Sequence, residues 1–116
     1  MIKVKPGVIW VYAPGLFRML EALKHISMGL GVDLTVTSAA DGTHSGPADP
    51  HHTGNALDLR THDLTDAQKQ AVLAGLQAEL APDFTMFLES PHTPNEHIHC
   101  QRRVGTTYTM KRYLSA

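Results

Sequence analysis

Apolar residues recur along the chain in two rhythms, one helical and one extended, and the changes between them mark the elements. A short apolar run, residues 8–12, leads to Pro14, which suits a first helical turn because its missing N–H has no partner there anyway. Leu16, Phe17, Leu20, Leu23 and Ile26 follow at helical spacing and predict a helix ending near Gly29 to Gly31. Leu34, Val36 and Ser38 alternate with Asp33, Thr35 and Thr37, the pattern of a strand. Residues 39–55 are mostly Ala, Asp, Gly, Thr, Ser, Pro and His and read as an irregular surface loop. Loops of that length are usually functional or disordered.

A second extended segment, Ala56–Arg60, puts Leu57 and Leu59 on one face and Ala56, Asp58 and Arg60 on the other. Thr65 with Gln68 three residues on has the form of a capping box, and Val72, Leu73, Leu76 and Leu80 make the apolar stripe of a second helix stopped by Pro82. Phe84–Glu89 and His97–Arg102 read as a hairpin across the turn-rich residues 90–95, and residues 106–114 as a last strand or extended segment. Together these predict a single α+β domain spanning 1–116. Its two helices cover one face of a small antiparallel sheet, and polar residues collect on the other.

The 116 residues, 42% hydrophobic and 18% charged, fit one domain with a modest core. A formal net charge of -1 offers no basic field for phosphate backbones or anionic lipid, so neither nucleic acid nor membrane is an expected partner. The longest apolar stretch, residues 8–20, is broken by Pro14, Gly15 and Arg18 and falls short of a membrane span of about 20 residues. No secretory pattern follows Lys3 and Lys5, which points to the cytoplasm. One cysteine, Cys100, excludes an intrachain disulfide.

Histidine changes the picture: there are eight, and seven lie between His44 and His99. The chain reads His51-His52-Thr53-Gly54-Asn55-Ala56-Leu57-Asp58 and later Glu96-His97-Ile98-His99. Imidazole and carboxylate are donors that zinc accepts, and a catalytic zinc keeps three protein ligands with one position open. Asp58 faces away from Leu57 and Leu59, while His97 and His99 share a face that Ile98 and Cys100 do not. Gly54 permits the sharp turn that brings a loop histidine over that face. The same residues also fit a solvated histidine loop and an exposed pair on a strand. His25 reads as a surface or capping residue, His62 and His92 as turn residues, and Asp63 and Asp66 as charges favoured at a helix start.

The pattern H-x-x-G-x-A-x-D (His51, Gly54, Ala56, Asp58) followed by H-x-H (His97, His99) resembles a group of zinc peptidases. The group includes D-alanyl-D-alanine carboxypeptidases, L-alanyl-D-glutamate endolysins and the hedgehog signalling domain, and the resemblance spans roughly residues 35–101. It implies the hedgehog/DD-peptidase fold, with Zn2+ held by His51, Asp58 and His99 and with His97 supporting the reaction. The implied activity is hydrolysis of peptide bonds in peptidoglycan. Two carboxylates are candidates for the general base. Glu96 stands three residues before His99, as in E-x-x-H relatives, and is preferred here; Glu89 ends the preceding strand, as in the hedgehog domain. Ser38-Ala39-Ala40-Asp41 stands where carboxypeptidases commonly have Ser-Gly-Tyr-Arg, so the arginine for a terminal carboxylate is missing and endopeptidase activity is favoured. His44, Arg60 and Arg102 are the candidates to supply that charge to substrate. Asp49-Pro50 replaces a frequent Ser-Leu before His51. A phage-derived member would reach the cell wall through a partner holin. The rival expectation is a non-enzymatic, zinc-stabilised binding module of the hedgehog type.

Overall fold

The computed structural model describes residues 1–41, 51 and 53–103. Its elements are β1 (Ile2–Val4), α1 (Pro14–Leu30), β2 (Leu34–Ser38), β3 (Ala56–Arg60), α2 (Asp66–Leu80), β4 (Phe84–Glu89) and β5 (His97–Arg102). The strands form one five-stranded sheet in the order β1-β2-β3-β5-β4. The fold is α+β, but the sheet is mixed rather than antiparallel: β1 pairs with β2 in parallel, Ile2 against Leu34 and Val4 against Val36. No periodicity announces β1, because it is three residues long and two of them are exposed. The strand expected at 106–114 lies outside the described residues.

Both helices cover one face. Leu34, Val36, Leu57, Leu59, Ile98, Cys100 and Phe84 meet Leu16, Met19, Leu23 and Ile26 of α1 and Val72, Leu76 and Leu80 of α2 in one buried cluster. Thr65 accepts from the Gln68 amide at 3.1 Å while its own amide donates to Gln68 Oε1 at 2.8 Å, so the predicted capping box starts α2. Gly75 lets the helices approach, since a Cβ there would lie 2.8 Å from Ile26 Cγ1. Gly31, at φ 67, ends α1 in the left-handed conformation that its missing side chain makes cheap.

One expected core residue turns outward. Phe17 is 57% exposed and stacks on Tyr12 at 6.1 Å, while its neighbour Arg18 is buried. The buried stripe runs through Leu16, Met19, Ala22, Leu23 and Ile26, and Phe17 lies beyond its edge. Arg18 is tolerated inside because its guanidinium donates to Asp83 Oδ2 at 2.8 Å and sits 5.0 Å over the Phe84 ring. Among the described residues, no helix is long and apolar enough to cross a membrane.

Candidate metal centre

The register of the three central strands assembles the site on the sheet face away from the helices. Asp58 pairs with His99 and Arg60 with His97 across β3 and β5, while Phe87 pairs with His99 and Glu89 with His97 across β4 and β5. Two cross-strand rows result, Asp58-His99-Phe87 and Arg60-His97-Glu89. An irregularity between Val36 and Ser38 sets Ser38 opposite Asp58 instead of continuing the face of Val36. That departs from the strict alternation predicted for β2, and a bulge of one residue is its cause.

His51 reaches the same place from the loop. Gly54, at φ 77, turns the chain there, and any Cβ on it would collide with the Val11 carbonyl. His51 is 5% exposed; its Nδ1 donates to the Ala39 carbonyl at 2.9 Å, and its Nε2 faces Asp58 Oδ1 at 3.5 Å. The same carboxylate oxygen meets His99 Nδ1 at 2.9 Å and His97 Nε2 at 3.6 Å. Three imidazole nitrogens therefore converge on Asp58 Oδ1. His97 Nε2 also contacts Glu89 Oε2 at 2.6 Å, and Nδ1 of that ring donates to the Asn95 carbonyl at 2.7 Å. Asp58, Glu89, His97 and His99 bring one donor atom each within 4.8 Å of one another, a group that could hold a metal ion.

The protons of this cluster carry information. Carbonyl oxygens only accept, so His51 and His97 hold hydrogen on Nδ1. Their Nε2 atoms, as neutral rings, present lone pairs to carboxylate oxygens. His99 faces oxygen at both nitrogens, Asp58 Oδ1 at 2.9 Å and Gln101 Oε1 at 2.6 Å. Such contacts are favourable only with a cation among them, either protons on the rings or a metal. Burial disfavours the Asp58 carboxylate, yet hydrogen bonds from His51 and His99 outweigh it and hold the group well below the usual carboxylate range. Burial likewise disfavours His99 as a cation, and its bonds to Asp58 and Gln101 reverse that, raising its pKa. The donor set thus suits a cation.

Glu96 does not join this group. Its carboxylate takes the Lys69 ammonium at 2.6 Å, the Thr61 hydroxyl at 2.6 Å and the His92 amide at 2.9 Å. The amide, the ammonium and the hydroxyl lower its pKa to about 2. Glu89, at the end of β4, is the carboxylate on His97. The role preferred for Glu96 in the sequence therefore meets a different geometry, because the residue belongs to the turn before β5 and its side chain points to α2.

Of the candidate substrate cations, Arg60 shares the face of Asp58 and His97. Arg102 does not: it alternates with Gln101 and pairs opposite Phe84, on the face of Ile98 and Cys100. His44 lies outside the described residues. Cys100 is buried on the core face, its thiol pushed up to about 12 by desolvation, where strand alternation predicts it. His25 holds Glu79 at 2.7 Å on the helix surface. Sequence reasoning passed over Gln101 and Phe87, the latter 45% exposed with its ring 5.2 Å from that of His99. Both were within reach of the period-two rule, being on the face of His99 by register. No protein-family model, curated protein or solved structure matches this chain.

Proposed function

We propose that the protein is a zinc-dependent metallopeptidase that hydrolyses peptide bonds of peptidoglycan, built like the zinc peptidases its two histidine motifs resemble. The observation that carries the reading is the convergence of three imidazole nitrogens on Asp58 Oδ1 beside the carboxylate of Glu89. Ligands about 2.0–2.1 Å from a tetrahedral zinc lie about 3.3 Å from one another. The 3.5 Å and 2.9 Å separations of His51 Nε2 and His99 Nδ1 from Asp58 Oδ1 are close to that. His51, Asp58 and His99 would hold the metal. A bound zinc supplies Lewis acidity, polarising the scissile carbonyl and making water a nucleophile near neutral pH.

The remaining groups handle protons. Glu89 accepts a proton from the attacking water, whose oxygen adds to the carbonyl carbon, and passes it to the leaving nitrogen as the C–N bond breaks. His97, anchored through its Nδ1–H by the Asn95 carbonyl, carries a second N–H on Nε2 when the ring is protonated beside Glu89, and in that form stabilises negative charge on the carbonyl oxygen. Endopeptidase action is favoured over carboxypeptidase action. In place of an arginine the chain has Asp41, whose carboxylate accepts from the Ala39 amide at 2.9 Å.

The test combines elemental analysis of dialysed protein with digestion of purified peptidoglycan and mass spectrometry of the fragments. One zinc per chain and newly released stem peptides are expected. Glu89→Gln should keep the zinc and lose about 10²- to 10⁴-fold in rate, whereas Glu96→Gln should keep most of its activity. The reverse pattern transfers the base to Glu96. Stoichiometric zinc without hydrolysis by the wild type would put the hedgehog-type binding module in its place.

A further inference from the structure

Beside the metal cluster the sheet face opens into a groove of about 310 Å³, with Asp58 and His97 in its wall. Two cations that the chemistry above does not use, Arg60 and Lys5, also line it. Arg60 is two residues beyond Asp58 on β3, about 7 Å along the strand. Lys5 follows β1, where its amide bonds to the Val36 carbonyl at 2.9 Å and brings it beside β2. Neither side chain makes an ion pair with a described residue. The other charges of the groove are accounted for: Glu96 is neutralised by Lys69, and Asp58 is engaged by the histidines. His62 also lines the groove. The groove therefore runs from a cation-binding cluster to an unneutralised pair of cations.

Resting on the peptidase reading, we propose that Arg60 and Lys5 form a carboxylate-binding subsite, so that the preferred substrate is an anionic peptide with a free carboxylate one or two residues from the scissile bond. A planar guanidinium can take a carboxylate in a two-pronged hydrogen bond, and Lys5 adds a mobile point charge. The separation along β3 sets the distance: a carboxylate held at Arg60 leaves the neighbouring peptide bond over Asp58 and His97. In a peptidoglycan stem peptide two carboxylates qualify, the α-carboxylate of D-glutamate and the terminal one.

The experiment uses zinc-loaded Glu89→Gln protein, which binds without turnover. It is titrated calorimetrically with L-Ala-γ-D-Glu-L-Lys-D-Ala-D-Ala, its D-glutamyl α-amide and its C-terminal amide. One of the two amides is expected to bind at least tenfold more weakly than the parent peptide, which identifies the carboxylate recognised. Arg60→Gln, and the Lys5→Gln/Arg60→Gln pair more fully, should abolish that difference while zinc content stays at one per chain. Equal affinity for all three peptides, no measurable binding of any, or a preference that survives the double replacement overturns the subsite. The two readings separate cleanly. A preference removed by the double replacement sustains the subsite even if wild-type protein cleaves nothing, an outcome that overturns only the peptidase reading. Cleavage by wild-type protein without such a preference overturns only the subsite.

Discussion

At the scale of single residues, Asp58 gathers the site, and Gln101 decides how one of its partners is presented. His99 has two ring nitrogens and only one can face Asp58; the other is held by Gln101 Oε1 at 2.6 Å. That bond keeps hydrogen on Nε2 and leaves Nδ1 as the donor toward a metal. Partners of this kind orient the ring, and their loss typically weakens metal affinity about 10- to 100-fold. Gln101→Leu should therefore lower zinc affinity by that factor in a competition titration with a chromophoric chelator, and Gln101→Glu should restore it. An affinity unchanged by the leucine would show that the ring is oriented by packing against Phe87 alone. The shared face of Asp58, His97 and His99 was legible in the sequence, since strand alternation puts all three on polar faces. What spacing could not supply was the direction of Glu96: three residues before His99 is a fitting distance, but Lys69 and Thr61, distant in sequence, capture the carboxylate.

At the scale of elements, that capture ties the turn before β5 to the start of α2. Glu96 titrates near 2 in the folded chain against an ordinary 4.5, so the unfolded chain binds its proton first. The stability it contributes is complete above the ordinary value and is lost as pH falls through the folded one. Glu96→Gln should accordingly melt below wild type at pH 7 and approach it near pH 2; an equal deficit at both would assign the loss to packing. A second tie joins α1 to the segment between α2 and β4, through Arg18 and Asp83 at 2.8 Å. Asp83→Ala strands a buried guanidinium and should cost about 3 kcal/mol in urea unfolding, part of which Arg18→Met with Asp83→Leu should recover. Neither tie is visible in hydrophobic patterning, which reads Arg18 as an interruption. By contrast α1, α2 and the four longer strands follow from periodicity, caps and turn residues. β1 escaped because pairing with β2, rather than any alternation of its own, makes three mostly exposed residues a strand.

At the scale of the whole molecule, the proposed metal centre joins parts of the chain that are far apart in sequence. His51 comes from the loop, Asp58 from β3 and His99 from β5, so the complete donor set exists only once the sheet has formed in register. Metal that binds the folded state and not the unfolded one adds its binding free energy to folding, about 4 kcal/mol at a free concentration 1,000 times Kd. The single cysteine gives no disulfide to share this task. His99 has its pKa raised by Asp58 and Gln101, so in metal-free protein the ring keeps a proton to higher pH than an ordinary histidine, and zinc must displace it. Its proton-linked stability is full below the ordinary histidine pKa of about 6.5 and fades as pH rises through the raised folded value. Zinc should thus raise the melting temperature most at pH 8 and least at pH 5.5, with chelator erasing the difference. Asp58→Ala should flatten the zinc response at both. A zinc-induced shift of equal size at the two pH values would mean that the metal binds without displacing protons from this cluster, and hence somewhere other than on these histidines.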